Sequence, residues 1–239
     1  MVLNGIQQRA LFSLTALYQI QPAWGGSVIL SLGLDEAGSA LAIAGNIAGA
    51  VTLAIDNDPT RLREVVRTGA CDFVVNTLDE AIRAMKNEVR KHSPLSIALA
   101  VDPARAIPEI LDRGLAPQLF TTFVRKPEYD ALISAATHLA SLGATLVDFE
   151  TLADAHHRDS FISASTLLAP LLKQNDWTLH TFSFNSSAEL RAFDVHVLGL
   201  LPAEDRLRRR WLEAAPRILR RQHPPQRYLW LTEEESALL

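Results

Sequence analysis

Two glycines and an acid stand where a protein could hold a dinucleotide. The apolar run Ser27–Gly33 leads into Leu34-Asp35-Glu36-Ala37-Gly38-Ser39-Ala40 and then into a stretch of small residues. A strand that ends in a glycine-rich turn and opens a helix offers a pyrophosphate main-chain N–H groups and the positive end of a helix dipole. The full pattern is G-x-G-x-x-G. Gly33 and Gly38 hold its outer positions, and Asp35 takes the middle one. Asp56 closes the next apolar run, 23 residues after Gly33, where an acid would accept a ribose hydroxyl.

The middle position argues against the cofactor. A glycine there lets the backbone approach the pyrophosphate, whereas Asp35 adds a side chain and, with Glu36, two negative charges. Two like charges about 4 Å apart repel by on the order of 4 kcal/mol at an effective dielectric near 20, roughly a thousandfold in affinity. An acid at this point can also cap its own helix in place of a phosphate. Self-capping is the reading these residues favour; a usable nucleotide site is the alternative.

Other constellations are weaker. His156 and His157 are adjacent, so on a helix they diverge by about 100° and share one metal poorly. Asp194 and His196 alternate along the expected strand Asp194–Leu200, as an acid–base pair or, more simply, a satisfied polar pair. Cys71, the sole cysteine, reads as packed rather than reactive. It cannot close an internal disulfide or a cysteine-rich metal site, which fits a reducing cytosol. There is no G-x-S-x-G elbow, Walker loop or metalloprotease helix, and no metal is expected.

The elements that must position these residues alternate. Besides Ser27–Gly33 and Asp194–Leu200, expected strands are Val51–Asp56, Phe73–Val75, Leu95–Val101, Gln118–Phe123, Ala144–Phe149, Trp177–Phe184 and Arg227–Leu231. Between them the spacing predicts helices over Pro59–Thr68, Leu78–His92, Pro103–Arg113 and Tyr129–Leu142. Thr77 and Glu80 spell a capping box, and Leu78, Ala81, Ile82, Met85 and Val89 mark one buried helix face. Strands such as Leu95–Val101 are apolar on both faces, so helices must cover both. The order predicts an α/β, Rossmann-like three-layer sandwich with a doubly wound, mostly parallel sheet. Residues 1–25 read as a helical lead-in, 26–150 as the Rossmann-like unit, and 151–239 as an α/β extension continuous with the same sheet.

Composition narrows the function classes. At 239 residues and 48% hydrophobic, the chain can bury one sizeable core. With Lys plus Arg at 23 against Asp plus Glu at 27, the net charge of −4 argues against a dedicated nucleic-acid or membrane-surface protein. No apolar run approaches the roughly 18 residues of a membrane span. Met1-Val2-Leu3-Asn4 lacks the start of a signal peptide, so a cytoplasmic protein is expected. Glu204–Arg227 carries eight arginines against three acids. Leu207, Trp211, Ala214, Ile218 and Leu219 make it an amphipathic helix, and no aromatic interleaving suits base stacking.

Gly33-Leu34-Asp35-Glu36-Ala37-Gly38-Ser39-Ala40-Leu41 resembles, in register, the G-L-G-G-M-G/S-G-A-Q loop of the urocanase (urocanate hydratase) family. Ala44-Gly45-Asn46-Ile47-Ala48-Gly49 is similar to the helix that follows, and Ile55-Asp56-Asn57-Asp58-Pro59-Thr60-Arg61 to the family's I-E-C-D-P-T-R. Arg67-Thr68-Gly69-Ala70-Cys71-Asp72, Thr77-Leu78-Asp79-Glu80-Ala81 and Ile107-Pro108-Glu109-Ile110 extend the resemblance. Arg210-Trp211-Leu212-Glu213-Ala214-Ala215 and Tyr228-Leu229-Trp230-Leu231 carry it to the end, and Gly5-Ile6-Gln7-Gln8 to the start. The match is to the family's middle, without the flanking segments that build its catalytic core.

The resemblance implies a protein of histidine breakdown, homodimeric, in which tightly bound NAD acts as an electrophile while water adds to urocanate. Carried over residue by residue, the cofactor positions are Gly33, Asp35, Glu36, Gly38, Asp56, Arg61, Asp102 and Thr122. Asp56 and Arg61 are kept in kind. G-G-M has become Asp35-Glu36-Ala37, G-N-A falls on Val101-Asp102-Pro103, and D-Q-T-S-A on Thr122-Phe123-Val124-Arg125-Lys126. Y-G-N-N-I-R gives way to Phe149-Glu150-Thr151-Leu152-Ala153, and R-P-L-F-C-E to Ala169-Pro170-Leu171-Leu172-Lys173-Gln174, without the active-site arginine and cysteine. Fold positions survive and chemistry is lost. The expectation is therefore a urocanase-like binding or interaction module without catalytic residues. The alternatives are one part of a split hydratase completed by a partner chain, and a nucleotide sensor using Asp56 and Arg61.

Overall fold

The computed structural model describes residue 3 and residues 5–124, 129–149, 160–219 and 223–239. Helix α1 (Ile6–Ile20) precedes β1 (Val28–Leu32), α2 (Glu36–Ala48), β2 (Val51–Asp56), α3 (Pro59–Thr68), β3 (Phe73–Val75) and α4 (Leu78–Lys91). Then come β4 (Leu95–Ala100), α5 (Pro103–Asp112), β5 (Leu119–Thr122), α6 (Tyr129–Ser141), β6 (Thr145–Asp148) and β7 (Ile162–Ser163). These strands form one sheet in the order β3-β4-β2-β1-β5-β6-β7, every neighbouring pair parallel.

Strands β1 and β2 are buried along their whole length, which explains why they are apolar on both faces apart from Ser31, Thr52 and the terminal Asp56. Successive residues face different layers: Ile29 and Ala54 join the core beneath α1 and α2, while Leu30 and Leu53 join the one beneath α4, α5 and α6. The small residues of α2 let it lie close to the sheet: a Cβ at Gly45 would overlap the Thr52 hydroxyl. The expected capping box at Thr77 and Glu80 forms at the start of α4.

The C-terminal part departs from expectation. After α7 (Ala164–Gln174), β8 (Thr178–Ser183) and β9 (Gln226–Leu231) pair antiparallel in a sheet of their own, so the extension is not continuous with the main sheet beyond β7. The expected strand Asp194–Leu200 is instead part of helix α8 (Ser187–Leu200). Its apolar residues look alternating, but the buried positions Asp194, Val197 and Leu201 fall at helical spacing. The overlooked signal is Ser186-Ser187-Ala188-Glu189: the Ser186 hydroxyl accepts the Glu189 N–H, and the Glu189 carboxylate accepts the N–H of Asn185. Asp194 and His196 therefore do not share a strand face; Asp194 is buried and His196 exposed.

Helix α9 (Arg206–Ile218) buries Leu207 and Trp211 as its amphipathic pattern requires, and α10 (Glu233–Ala237) closes the described chain. β9 docks on α1: the Gln7 side-chain amide donates to Gln226 O and accepts the Tyr228 N–H, each at 2.9 Å. The Trp230 indole donates to the Thr15 hydroxyl at 2.8 Å.

Candidate functional site

Strand order reverses between β1 and β5, and in such sheets the ligand crevice opens at the carboxyl ends of the strands flanking that point. Parallel pairing brings all eight candidate residues to that one edge. Asp102 follows β4, Asp56 ends β2, Gly33 through Gly38 follow β1, and Thr122 ends β5.

The turn after β1 is built as its sequence suggests. Gly33 has a φ of 94°, a left-handed conformation that glycine adopts without strain, and its N–H continues the ladder to Ile55 O at 2.8 Å. Asp35 is the N-cap of α2, its Oδ1 accepting the Gly38 N–H at 2.9 Å. Self-capping is thus the observed use of this acid. Glu36 turns to α1, where its carboxylate lies 3.6 Å from the Arg9 guanidinium. Gly38 packs so close that a Cβ there would overlap the Gly33 carbonyl.

Asp56 lies inside the edge rather than on it, its side chain 4% exposed. Oδ2 accepts the Leu34 N–H at 2.6 Å and faces Arg61 Nη1 at 3.2 Å, while Oδ1 accepts the Asp58 N–H at 2.8 Å. One carboxylate therefore ties the β1 turn to the β2 turn. Arg61 also reaches Asp58 at 3.7 Å. Hydrogen bonds from the Thr60 and Arg61 N–H groups, with Arg61's charge, hold the Asp58 carboxyl below its ordinary pKa.

Asp102 caps α5, accepting the Ala104 N–H at 2.9 Å. Thr122 is buried and its hydroxyl accepts the Val124 N–H at 3.2 Å. The residue that sequence reasoning passed over is Phe123. It is buried, and its side chain meets both glycines of the turn: Cβ positions built on Gly33 and Gly38 would stand 3.1 Å from it. A large apolar residue directly after β5, at the crossover beside β1, is the signal that pointed there.

Among the described residues, no group of three or more His, Cys, Asp or Glu is placed to hold a metal ion. Burial, with the nearby Asp72 charge, pushes the Cys71 thiol up to about 12, so it is packed and protonated. His156, His157, Arg125, Lys126 and Glu150 through Ala153 lie outside the described residues. No described helix is long and apolar enough to cross a membrane.

Residues 8–124 match the family described as the urocanase Rossmann-like domain. The matched segment holds the β1 turn, Asp56, Asp102 and Thr122, so the resemblance read from the residues is shown over this part. An alcohol dehydrogenase, TADH, from Thermus sp. ATN1 is similar at 18% identity and a TM-score of 0.31, covering 69% of this chain and 46% of its own. This chain thus spans less than half the length of that relative. A SAM-dependent methyltransferase from Thiobacillus denitrificans, in complex with S-adenosyl-L-homocysteine, is similar at 15% identity and a TM-score of 0.31, covering 95% of this chain and 81% of its own.

Proposed function

We propose, taking residues 8–124 as a Rossmann-like domain of urocanase type, that this chain is a urocanase-related protein whose dinucleotide site is closed by its own side chains. On this reading it works as a binding or interaction module, not as a hydratase. A Rossmann-like scaffold is compatible with NAD, but the residues at its phosphate turn are a poor fit. The observation that carries the reading is the commitment of Asp56: three donors of its own chain, Leu34 N, Asp58 N and Arg61 Nη1, occupy the acid that would take a ribose. The Gly38 N–H, which would face a phosphate, is bound to Asp35, and Phe123 packs against both glycines. A ligand would have to displace these bonds before making its own, and each is worth about 1 kcal/mol or more when a charged group takes part.

Calorimetric titration of the purified chain with NAD tests this. No heat in the millimolar range is expected. Micromolar binding would overturn the closed site and favour one part of a split hydratase, to be sought by co-purifying a partner chain and assaying urocanate turnover in the mixture. On this reading the working compartment is the cytoplasm, where the Cys71 thiol stays reduced, and the partners are proteins, a second copy included.

A further inference from the structure

The carboxyl edge leaves the arginine-rich segment without a use, and the fold distributes those arginines unevenly. Arg208 is buried against Asp205 and Glu235, and Arg227 against Asp194. Arg206, Arg209 and Arg210, with Glu213, line instead a cavity of about 410 Å³. Their positions are i, i+3, i+4 and i+7, so one face of α9 supplies all four. The facing wall includes Tyr18 of α1 and Trp24, and the rim includes Gly25 before β1, Gly49 before β2 and Pro94 before β4. The cavity is therefore at the amino edge of the sheet, the end opposite the phosphate turn.

Two of the three guanidiniums are already fixed in place. Arg209 Nη1 donates to Leu198 O and Leu201 O at 2.9 and 3.1 Å, and Arg210 Nε donates to Ile47 O at 2.7 Å. A guanidinium has five N–H donors; Arg209 spends Nη1 on those carbonyls and turns Nη2 to Glu213 at 3.9 Å, so the donors left for a ligand lie mainly on Arg210, already ordered within the fold, and on Arg206. Arg206 donates no side-chain hydrogen bond among the described residues; burial raises the Tyr18 hydroxyl's pKa, against the opposing charge of Arg206 and with that of Asp205. Three guanidiniums against the one carboxylate of Glu213 leave a surplus of two positive charges. The carbonyl ends of α2 and α4 reach the same wall. Arg210 answers the first, and Arg90 and Lys91 in the last turn of α4 answer the second.

We propose that this cavity binds a small ligand in which a carboxylate or phosphate is joined to a flat apolar body, the anion on the α9 arginines and the body against Tyr18 and Pro22. The proposal does not depend on whether the phosphate turn is closed. Calorimetry on the full chain with phenyl phosphate and with benzoate tests it, with anilinium as a cationic control of similar shape. One-to-one binding is expected, weakened about tenfold or more by Arg206→Glu and by Ala203→Asp on the exposed rim. Tighter phenyl phosphate would assign the headgroup to phosphate, and tighter benzoate to carboxylate. Both probes failing to saturate in the millimolar range, anilinium binding equally well, or unchanged affinity in Arg206→Glu at an unchanged melting temperature would each overturn it. Should Arg206→Glu lower the melting temperature, Ala203→Asp alone decides: weakening supports the site and unchanged affinity removes it.

Discussion

Arg227 of β9 and Asp194 of α8 make a two-point ion pair, Nε to Oδ1 at 2.8 Å and Nη2 to Oδ2 at 2.7 Å, with side chains only 1% and 3% exposed. Paired and planar, the two charges are tolerated in the interior; alone, either is not. Asp194→Ala is expected to cost about 3–5 kcal/mol, because it leaves a buried guanidinium without its partner. Arg227→Met together with Asp194→Leu is expected to cost far less than either single change. Denaturant melts of the three variants check this, and a double variant worse than both singles would contradict it.

The Asp56 carboxylate reaches back 22 residues to the Leu34 N–H and so joins the turn after β1 to the turn after β2. Asp56→Ala is expected to lower stability by about 1–3 kcal/mol, the cost of leaving buried donors unmatched, without changing the heat seen on adding NAD. A variant that stays stable but loses a measurable nucleotide affinity would instead identify a sensor built on Asp56 and Arg61.

Asp35 is expected to act through its cap. Asp35→Ala should cost about 1 kcal/mol, while Asp35→Ser, which keeps an acceptor for the Gly38 N–H, should cost little. Converting Asp35 and Glu36 to glycine removes both charges from the turn; a rise in NAD affinity would show that the acids exclude the cofactor. If affinity is unchanged, Phe123 is the closing residue, and Phe123→Ala added to that variant should reveal it.

Much of this edge was legible in the residues. The turn glycines, the acid after β2 and the cap potential of Asp35 are short-range features, set by spacing along the chain. The partners of Asp56 were not legible, because Leu34 N reaches it through the pairing of β1 with β2 and Arg61 through the first turn of α3. Phe123 escaped for the same reason: its position over Gly33 depends on the crossover that sets β5 beside β1. Helix α8 was misread where Val195 and Val197 mimic a strand, although Ser186 and Glu189 marked its start. β7, with two residues, is too short to show a period at all.

Glu235 carries the clearest pH signature of the C-terminal part. Burial by itself would raise its carboxyl, but hydrogen bonds from Arg208 and from the Thr232 N–H outweigh it and hold the pKa below the usual value. A group depressed in the fold stabilises above its unfolded pKa, about 4.3, and that contribution is lost as pH falls through the lower folded value. The melting temperature should therefore fall on acidification below about pH 4.3, and Glu235→Gln should flatten part of that limb. An identical acid limb in the variant would remove Glu235 from the account.

Cys71 is expected to resist thiol reagents in the native state, since burial pushes its pKa up to about 12 and leaves almost no thiolate at neutral pH. Labelling should appear only as denaturant unfolds the chain. Rapid native labelling would mean that the turn after α3 opens far more readily than its packing indicates.

The dependence of α1 on β9 orders events during synthesis. Gln7 and Thr15 find their partners at Gln226, Tyr228 and Trp230, across separations of 219, 221 and 215 residues. A chain emerging from the ribosome presents α1 early and β9 more than two hundred residues later, so the central sheet can pair while that amide and hydroxyl still face water or a chaperone. β9, made long after α1, then acts as a latch on that helix. A chain cut short before β9 would keep that latch open, with the β9-facing side of α1 uncovered.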